Sequence, residues 1–298
     1  MTDDGQADAA TKTFVAHRNL LFTVAYEMLG SATDAEDVLQ ETWLRWVRVD
    51  LGTVRDQRAY LVRIATNQAL TRLRTLGRRR ESYVGSWLPE PMLTVADVAD
   101  DVELAESVSM AMLLVLETLT PTERAVFVLR EVFGFDYDEV AQAVDKNAPA
   151  VRQIAHRARS HVAARRHRGV ASPAEAEAAL AAFQRAIETG DLQGLLDVLA
   201  PDVVVVGDGG GVTQAVLRPI VGADKVARVL TAGLGRVRTR MSVERANVNG
   251  GPALIVRLDG DIDGVLALLV EEGRVSGIYY VRNPEKLSWL DEETTFSR

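Results

Sequence analysis

Cysteine is absent from this chain of 298 residues. No disulfide framework and no thiolate metal site can form, and a reducing compartment suits such a protein. Lysine is nearly missing as well, with four lysines against thirty arginines. Together with the richness in Ala and Val, that bias suggests a GC-rich genome. The four histidines, His17, His156, His161 and His167, all precede residue 169. Everything from residue 169 onward therefore lacks imidazole acid–base chemistry, Ser-His-Asp triads and most transition-metal sites. Long apolar runs are missing too. The longest, 264–270, is strand-sized, far short of the roughly 18 residues that suggest a membrane span. The segment 1–10 is acidic and polar and does not read as a signal peptide.

What is present is unevenly distributed charge. The net charge is −8, which argues against a simple DNA-coating protein. Yet 55–80 holds eight arginines and one acid, and 146–168 holds seven basic residues and no acid. Between them, 81–145 holds fourteen acids against Arg124 and Arg130. Phosphate neutralisation requires local positive charge, not a positive total. Two basic runs, each on a predicted helix, point toward nucleic acid. The length suggests about two domains, and 47% apolar residues suffice to build their cores.

Apolar spacing predicts helices over 12–30, from Thr33 or Asp34 to about Val47, and over 57–76, ending at Gly77. Residues 78–104 read as a linker that passes from an arginine cluster to an acidic stretch. Helices resume over 102–119, and Pro121 fits the first turn of the next one. Residues 119–166 then carry two apolar-periodic helices broken at Phe133-Gly134-Phe135, a short helix 137–144, a turn at Asp145-Lys146-Asn147, and a last helix without acids. That is the layout of a helix-turn-helix, whose second helix enters the major groove. Beyond residue 168 come helices over 173–189 and 192–200, a β-branched run 202–206, a turn Asp208-Gly209-Gly210-Gly211 and a helix 222–233. Strand-like segments follow at 238–247, 253–258, 264–270 and 275–281, an α+β pattern.

The recognition helix can be read residue by residue. Val151, Ile154, Ala155, Ala158 and Val162 form its buried stripe, and Asn147 caps it. Arg152, Gln153 and His156 lie off that stripe near the N-terminal end, where Arg pairs with guanine edges and Gln with adenine. Arg157, Arg159, Arg165 and Arg166 suit phosphates. On the earlier helix Tyr60, Arg63, Asn67 and Arg74 share one face, a set suited to stacking and hydrogen-bonding single-stranded bases.

Residues 12–168 resemble an extracytoplasmic-function (ECF) RNA polymerase sigma factor. The motifs that carry the resemblance are 34–46, the segment 60–70 and the helix-turn-helix. Three further motifs, Trp87-Leu88-Pro89-Glu90-Pro91, Asp208-Gly209-Gly210-Gly211 and Asn283-Pro284-Glu285-Lys286-Leu287, are similar to those of a subgroup with a fused C-terminal SnoaL-like domain. The subgroup's glycine motif commonly ends in lysine, where this chain has Val212.

The resemblance implies a multidomain fold: two all-α sigma domains and a C-terminal α+β domain with a cone-shaped, curved sheet. The expected divisions are region 2 at 1–80, a linker at 81–104, region 4 at 105–168 and the SnoaL-like domain at 169–298. It implies polymerase contacts at Asp37, Gln40, Glu41 and Trp43, made to the β′ clamp helices, with region 4 on the β flap. It also implies −10 contacts at Tyr60, Arg63, Asn67 and Arg74, and −35 contacts at Arg152, Gln153, His156 and Arg157. Trp87, Pro89, Asp208, Gly209, Gly210, Gly211, Asn283, Pro284 and Lys286 would serve regulation without a separate anti-sigma factor. No cofactor, metal or membrane is expected, the location is cytoplasmic, and the C-terminal domain could hold a small ligand. An Asp or Glu base with a Tyr partner remains a possible route to catalysis, with Asp208, Asp261, Asp263, Tyr279 and Tyr280 as candidates, and the chain is expected not to be an enzyme. Two rivals stand beside this reading. One is a helix-turn-helix regulator with a ligand-sensing domain. The other is an enzyme with a DNA-binding appendage.

Overall fold

The computed structural model describes residues 3–81, 83–94, 102–165, 171–235, 239–291 and 293–297. Three long helices come first: α1 (Asp3–Leu29), α2 (Ala32–Trp46) and α3 (Gln57–Glu81), each packed on the other two. Their apolar stripes meet around Leu21, Val24, Met28, Leu61 and Trp46, all buried, and the Trp46 indole N–H donates to the Ala10 carbonyl at 2.9 Å. Ser31, not Thr33 or Asp34, caps α2, its hydroxyl accepting from the Asp34 N–H at 3.1 Å. The helix α3 also runs through Gly77 instead of ending there. A helical glycine costs only about 1 kcal/mol relative to alanine, too little to stop a helix with favourable residues on both sides.

The helices expected over 102–119 are α4 (Val102–Val108) and α5 (Met110–Glu117). Ser109 separates them and caps the second. Thr120 and Glu123 form a capping box for α6 (Pro121–Phe127), which winds into a π-helical turn, Val128–Val132. After Gly134, at φ +69°, come α7 (Tyr137–Ala143) and α8 (Ala148–Ala163). Asp145, at φ +54°, makes the turn between them, and Asn147 caps α8 through the Ala150 N–H at 2.9 Å. The buried residues of α8 are the five anticipated from spacing.

The C-terminal domain begins with α9 (Pro173–Thr189) and α10 (Leu192–Val198), followed by β1 (Leu199–Asp208), β2 (Ile220–Val221) and α11 (Ala223–Leu234). A meander follows: β3 (Met241–Val248), β4 (Gly251–Leu258), β5 (Asp261–Glu271) and β6 (Arg274–Val281). The strands form one sheet in the order β2-β1-β6-β5-β4-β3, in which β1 and β6 are parallel and the other pairs antiparallel. The first strand starts at Leu199, so the helix expected to reach Ala200 stops at Val198.

Alternation along the strands loads both faces with apolar side chains. Leu254, Val256, Leu266, Leu268 and Ile278 pack with Leu180 and Phe183 of α9. Ala253, Ile255, Val265, Ala267, Tyr279 and Val281 face the other way, where Leu88 and Met110 cover them. The second face is thus buried by parts of the chain that precede the domain. The helical units are not separate either, because one hydrophobic cluster runs from Ala10 through Leu70 and Leu113 to Val162. Within it α3 packs on α6 and α7. Phe296 joins this cluster, stacked on Phe22 and Tyr26 at ring distances of 6.2 and 5.5 Å. Among the described residues no helix is long and apolar enough to cross a membrane.

Truncating the outward sheet face should act like a core mutation. Ile255→Ala should cost about 2–5 kcal/mol, measured as a lowered urea midpoint of the full chain.

Candidate functional site

The three motifs singled out at 87–91, 208–211 and 283–287 converge on one buried ion pair. Lys286 Nζ lies 2.7 Å from Asp208 Oδ2 and donates to the Leu88 carbonyl at 2.6 Å. The same Asp208 oxygen accepts the Leu88 N–H at 2.8 Å, and its other oxygen accepts the Tyr83 hydroxyl at 2.5 Å and the Gly210 N–H at 3.0 Å. The ammonium also sits 4.3 Å from the Trp87 ring and 5.0 Å from the Tyr83 ring, a cation–π arrangement. Asn283 donates to the Tyr83 hydroxyl at 3.0 Å and caps the short turn that begins at Pro284. Burial, followed by the Asp208 bond, pushes the Tyr83 hydroxyl well above the usual phenol range.

The glycines follow from this closeness. A Cβ on Gly210, at φ +63°, would sit 2.5 Å from the Asn283 amide, and one on Gly209 would sit 2.0 Å from the Thr213 carbonyl. Gly211 lies against Val84. Val212 is exposed and takes no part in the ion pair.

The next residues of the linker bind the first helices. Pro89 is buried. Glu90 presents its carboxylate to the N-terminus of α2, accepting from the Ser31 hydroxyl at 2.7 Å and from the Ala32 and Thr33 N–H groups at 2.8 and 3.1 Å. Anions are favoured at such an end. Burial nevertheless pushes its carboxyl above the usual range, against those hydrogen bonds.

The tip of the β3–β4 hairpin joins three segments through Asn249. Its amide donates to the Tyr26 hydroxyl at 2.6 Å and to the Val108 carbonyl at 3.0 Å. Its side-chain oxygen accepts from the Met92 N–H at 3.0 Å. Beside it, buried Arg124 of α6 donates to the Glu27 carbonyl at 2.9 Å and pairs with Glu117, while Ser107 donates to the Glu27 carboxylate at 2.8 Å. Burial pushes the Arg124 guanidinium down to about 9.

On α2, Gln40 and Glu41 are exposed, Asp37 is half-exposed, and Trp43 rests on Phe14 at 5.3 Å. Arg72 of α3 reaches Asp34 at 2.6 Å, Asp37, and Glu41 at 3.9 Å. On α3, Tyr60 is half-buried against Trp46, with the Arg63 guanidinium 4.7 Å from its ring. Asn67 donates to the Arg63 carbonyl at 3.0 Å, and Arg74 is exposed. On α8, Arg152, Gln153, His156 and Arg157 are all exposed. Arg157 lies 3.7 Å from Glu123, and Arg159 lies 3.1 Å from Glu131. Arg166 is outside the described residues. In the C-terminal domain Arg282 holds Asp263 through two nitrogens at 2.6 and 2.9 Å, and Tyr280 donates to the same carboxylate at 2.7 Å. Tyr279 is buried, which raises its hydroxyl to about 12, while Asp261 is exposed.

Sequence reasoning did not single out Tyr83, Asn249, Arg72, Arg124 or Glu27. Only Asn249 left a local sign, the Asn-Gly pair that favours a two-residue hairpin turn.

Comparison with known proteins agrees with this anatomy. The Sigma-70 region 2 family matches residues 13–79, and Sigma-70, region 4 matches 109–162. The chain belongs to the ECF RNA polymerase sigma factors, proteins that bring core RNA polymerase to promoter DNA. It is 36% identical over 290 residues to the ECF RNA polymerase sigma factor SigJ of Mycobacterium tuberculosis, covering 92% of each chain. It is 32% identical over 291 residues to the probable ECF RNA polymerase sigma factor SigI of that organism, covering 97% of this chain and 98% of the other. The crystal structure of M. tuberculosis SigJ superposes with a TM-score of 0.76 at 32% identity, covering 94% of this chain and 98% of that one.

Two outcomes test the clasp. Asp208→Asn or Lys286→Met alone strands a buried charge and should cost about 3–5 kcal/mol. The double variant should cost less than the sum of the two, as read from urea midpoints. For Glu90, a raised folded value means that its stabilising increment is present when the carboxyl is protonated. The increment is lost as pH rises from about 4.3, the unperturbed Glu value, through the folded value. Glu90→Gln should flatten that fall in urea midpoint.

Proposed function

We propose that this sigma factor rests in a closed state held by its own C-terminal domain, and that it opens when it engages polymerase and promoter. The observation that carries the reading is the single core shared by the α1–α3 and α4–α8 units. Elements named −10 and −35 lie 25 base pairs apart, about 85 Å along B-DNA at 3.4 Å per pair. A compact chain of this length has a radius of gyration of about 19 Å and a diameter of about 50 Å. A closed molecule with α3 packed against α6 and α7 is too small to occupy both elements.

In the open state Asp37, Gln40, Glu41 and Trp43 would meet the β′ clamp helices. Tyr60, Arg63, Asn67 and Arg74 would take the melted −10 strand. Arg152, Gln153, His156 and Arg157 would take the −35 duplex, the first two reading bases. A groove of about 410 Å³ suits the β flap. Met112, Phe127, Val132 and Val162 supply apolar walls and Glu103, Glu106 and Glu131 an acidic rim, an arrangement that fits an amphipathic helix. The boundaries 1–80, 81–104, 105–168 and 169–298 serve as working divisions of this machine.

The C-terminal domain acts as a gate, not a catalyst, and a cytoplasmic site of action follows from its polymerase partner. Asp208 and Asp263 are both engaged by cations, which argues against either as a base. A gate built into the chain does without a separate anti-sigma factor, and a small ligand that loosened the domain would act as an inducer. The buried contact of Arg124 with Glu27 and Glu117 suits a reversible closure, because desolvation offsets much of the attraction in such pairs.

Asn249→Ala should lengthen the distance between fluorophores placed on α2 and α8. Removing 169–298 should change transcription from a cognate promoter. Unchanged distances, with equal polymerase binding and transcription by full-length and truncated chains, would refute the gate.

A further inference from the structure

The aromatic ring of Tyr137 connects the body of the helix-turn-helix to its reading edge. Tyr137 is the first residue of α7, half-buried, and packs on the helical core. The Arg130 guanidinium lies 4.5 Å from its ring centroid. Arg130 is itself fixed, donating to the Phe135 carbonyl at 2.8 Å and lying 3.8 Å from the Asp136 carboxylate. On the recognition helix Arg152 brings its guanidinium to 5.7 Å from the same ring. Both distances fall within cation–π reach.

We infer that Tyr137 is a positioning residue for −35 recognition, its ring holding Arg152 poised toward the base edges of the major groove. This rests on Arg152 being a base reader. The physical advantage lies in geometry. Guanidinium donors point outward in the plane of the group, whereas the ring attracts its face. Attraction to the ring therefore restrains the side chain without using any of the N–H groups that guanine O6 and N7 require. It also restricts the side chain before DNA arrives, so less rotamer freedom is lost on binding. Arg159 belongs to the same neighbourhood, and the Tyr137 hydroxyl and Glu131 together raise its guanidinium above the ordinary arginine value. That contact concerns the phosphate side of the interface and depends on the hydroxyl, whereas the Arg152 contact depends on the ring.

The separation gives the test. Full-length variants are assembled with core polymerase and transcribe a promoter library randomised across the −35 element. Arg152→Ala identifies the base pair that this arginine reads, as a position where preference falls about tenfold or more. Tyr137→Leu and Tyr137→Met keep apolar packing and remove the π face. They should flatten preference at that same position while leaving the others within about twofold. Tyr137→Phe, which keeps the ring, should retain the wild-type preference. Wild-type preference in both apolar variants, an equal loss at every position, or a Phe variant as degenerate as the Leu variant would each overturn the inference. If Arg152→Ala changes no position, the base-reading role fails first and the inference falls with it. If it changes one position that the apolar variants leave intact, only the positioning role fails.

Discussion

The ion pair between Lys286 and Asp208 is the constraint on which the rest of the closed structure depends. Both side chains are nearly inaccessible, at 7% and 0% exposure. Two charges withdrawn that far from water are tolerated only when their remaining valences are filled. Here the filling comes from the linker: the Leu88 carbonyl and N–H, the Tyr83 hydroxyl, and two aromatic rings. The pair therefore specifies position more than it adds stability. Only one placement of residues 83–88 completes it, and that placement delivers Leu88 to the outward sheet face and Glu90 to the start of α2.

The sheet explains why the C-terminal domain cannot be an inert appendage. An antiparallel meander usually leaves one face to water, but β4, β5 and β6 alternate apolar residues on both sides. The second face is matched to the linker and α5, so the domain carries half of an interface in its strand pattern. Near the β3–β4 turn the contacts change character. Asn249, Tyr26, Glu27, Ser107 and Arg124 form a polar, hydrogen-bonded patch beside the apolar core that α1–α3 share with α4–α8.

Much of this was legible in the chain. The stripe of α8, its Asn147 cap and the position of Pro121 follow from spacing and capping chemistry, which act within a few residues. The motifs at 87–91, 208–211 and 283–287 were legible only through resemblance, and their meeting was not legible, since nothing local ties residues up to 198 positions apart. What stayed hidden was set by tertiary contact. Ser31 displaces Thr33 and Asp34 as the cap while Glu90, from far along the chain, takes the N–H groups of Ala32 and Thr33. The parallel pairing of β1 with β6 has no periodic signature distinct from an antiparallel one. Arg72, read as one more arginine in a basic run, turns inward to the acids of α2. Asn249 announced a turn but not its three partners.

The residues around Phe296 carry one more consequence. Phe296 covers Phe22 and Tyr26, and the Ser297 N–H donates to Thr23 across 274 positions of sequence. Ribosomes add about 5–20 residues per second, so roughly 15–55 s separate the emergence of α1 from that of its cover. During that interval α1–α3 can fold with this patch bare and no closing domain in existence. The cover on α1 is therefore something that synthesis adds well after the helix it covers has been made.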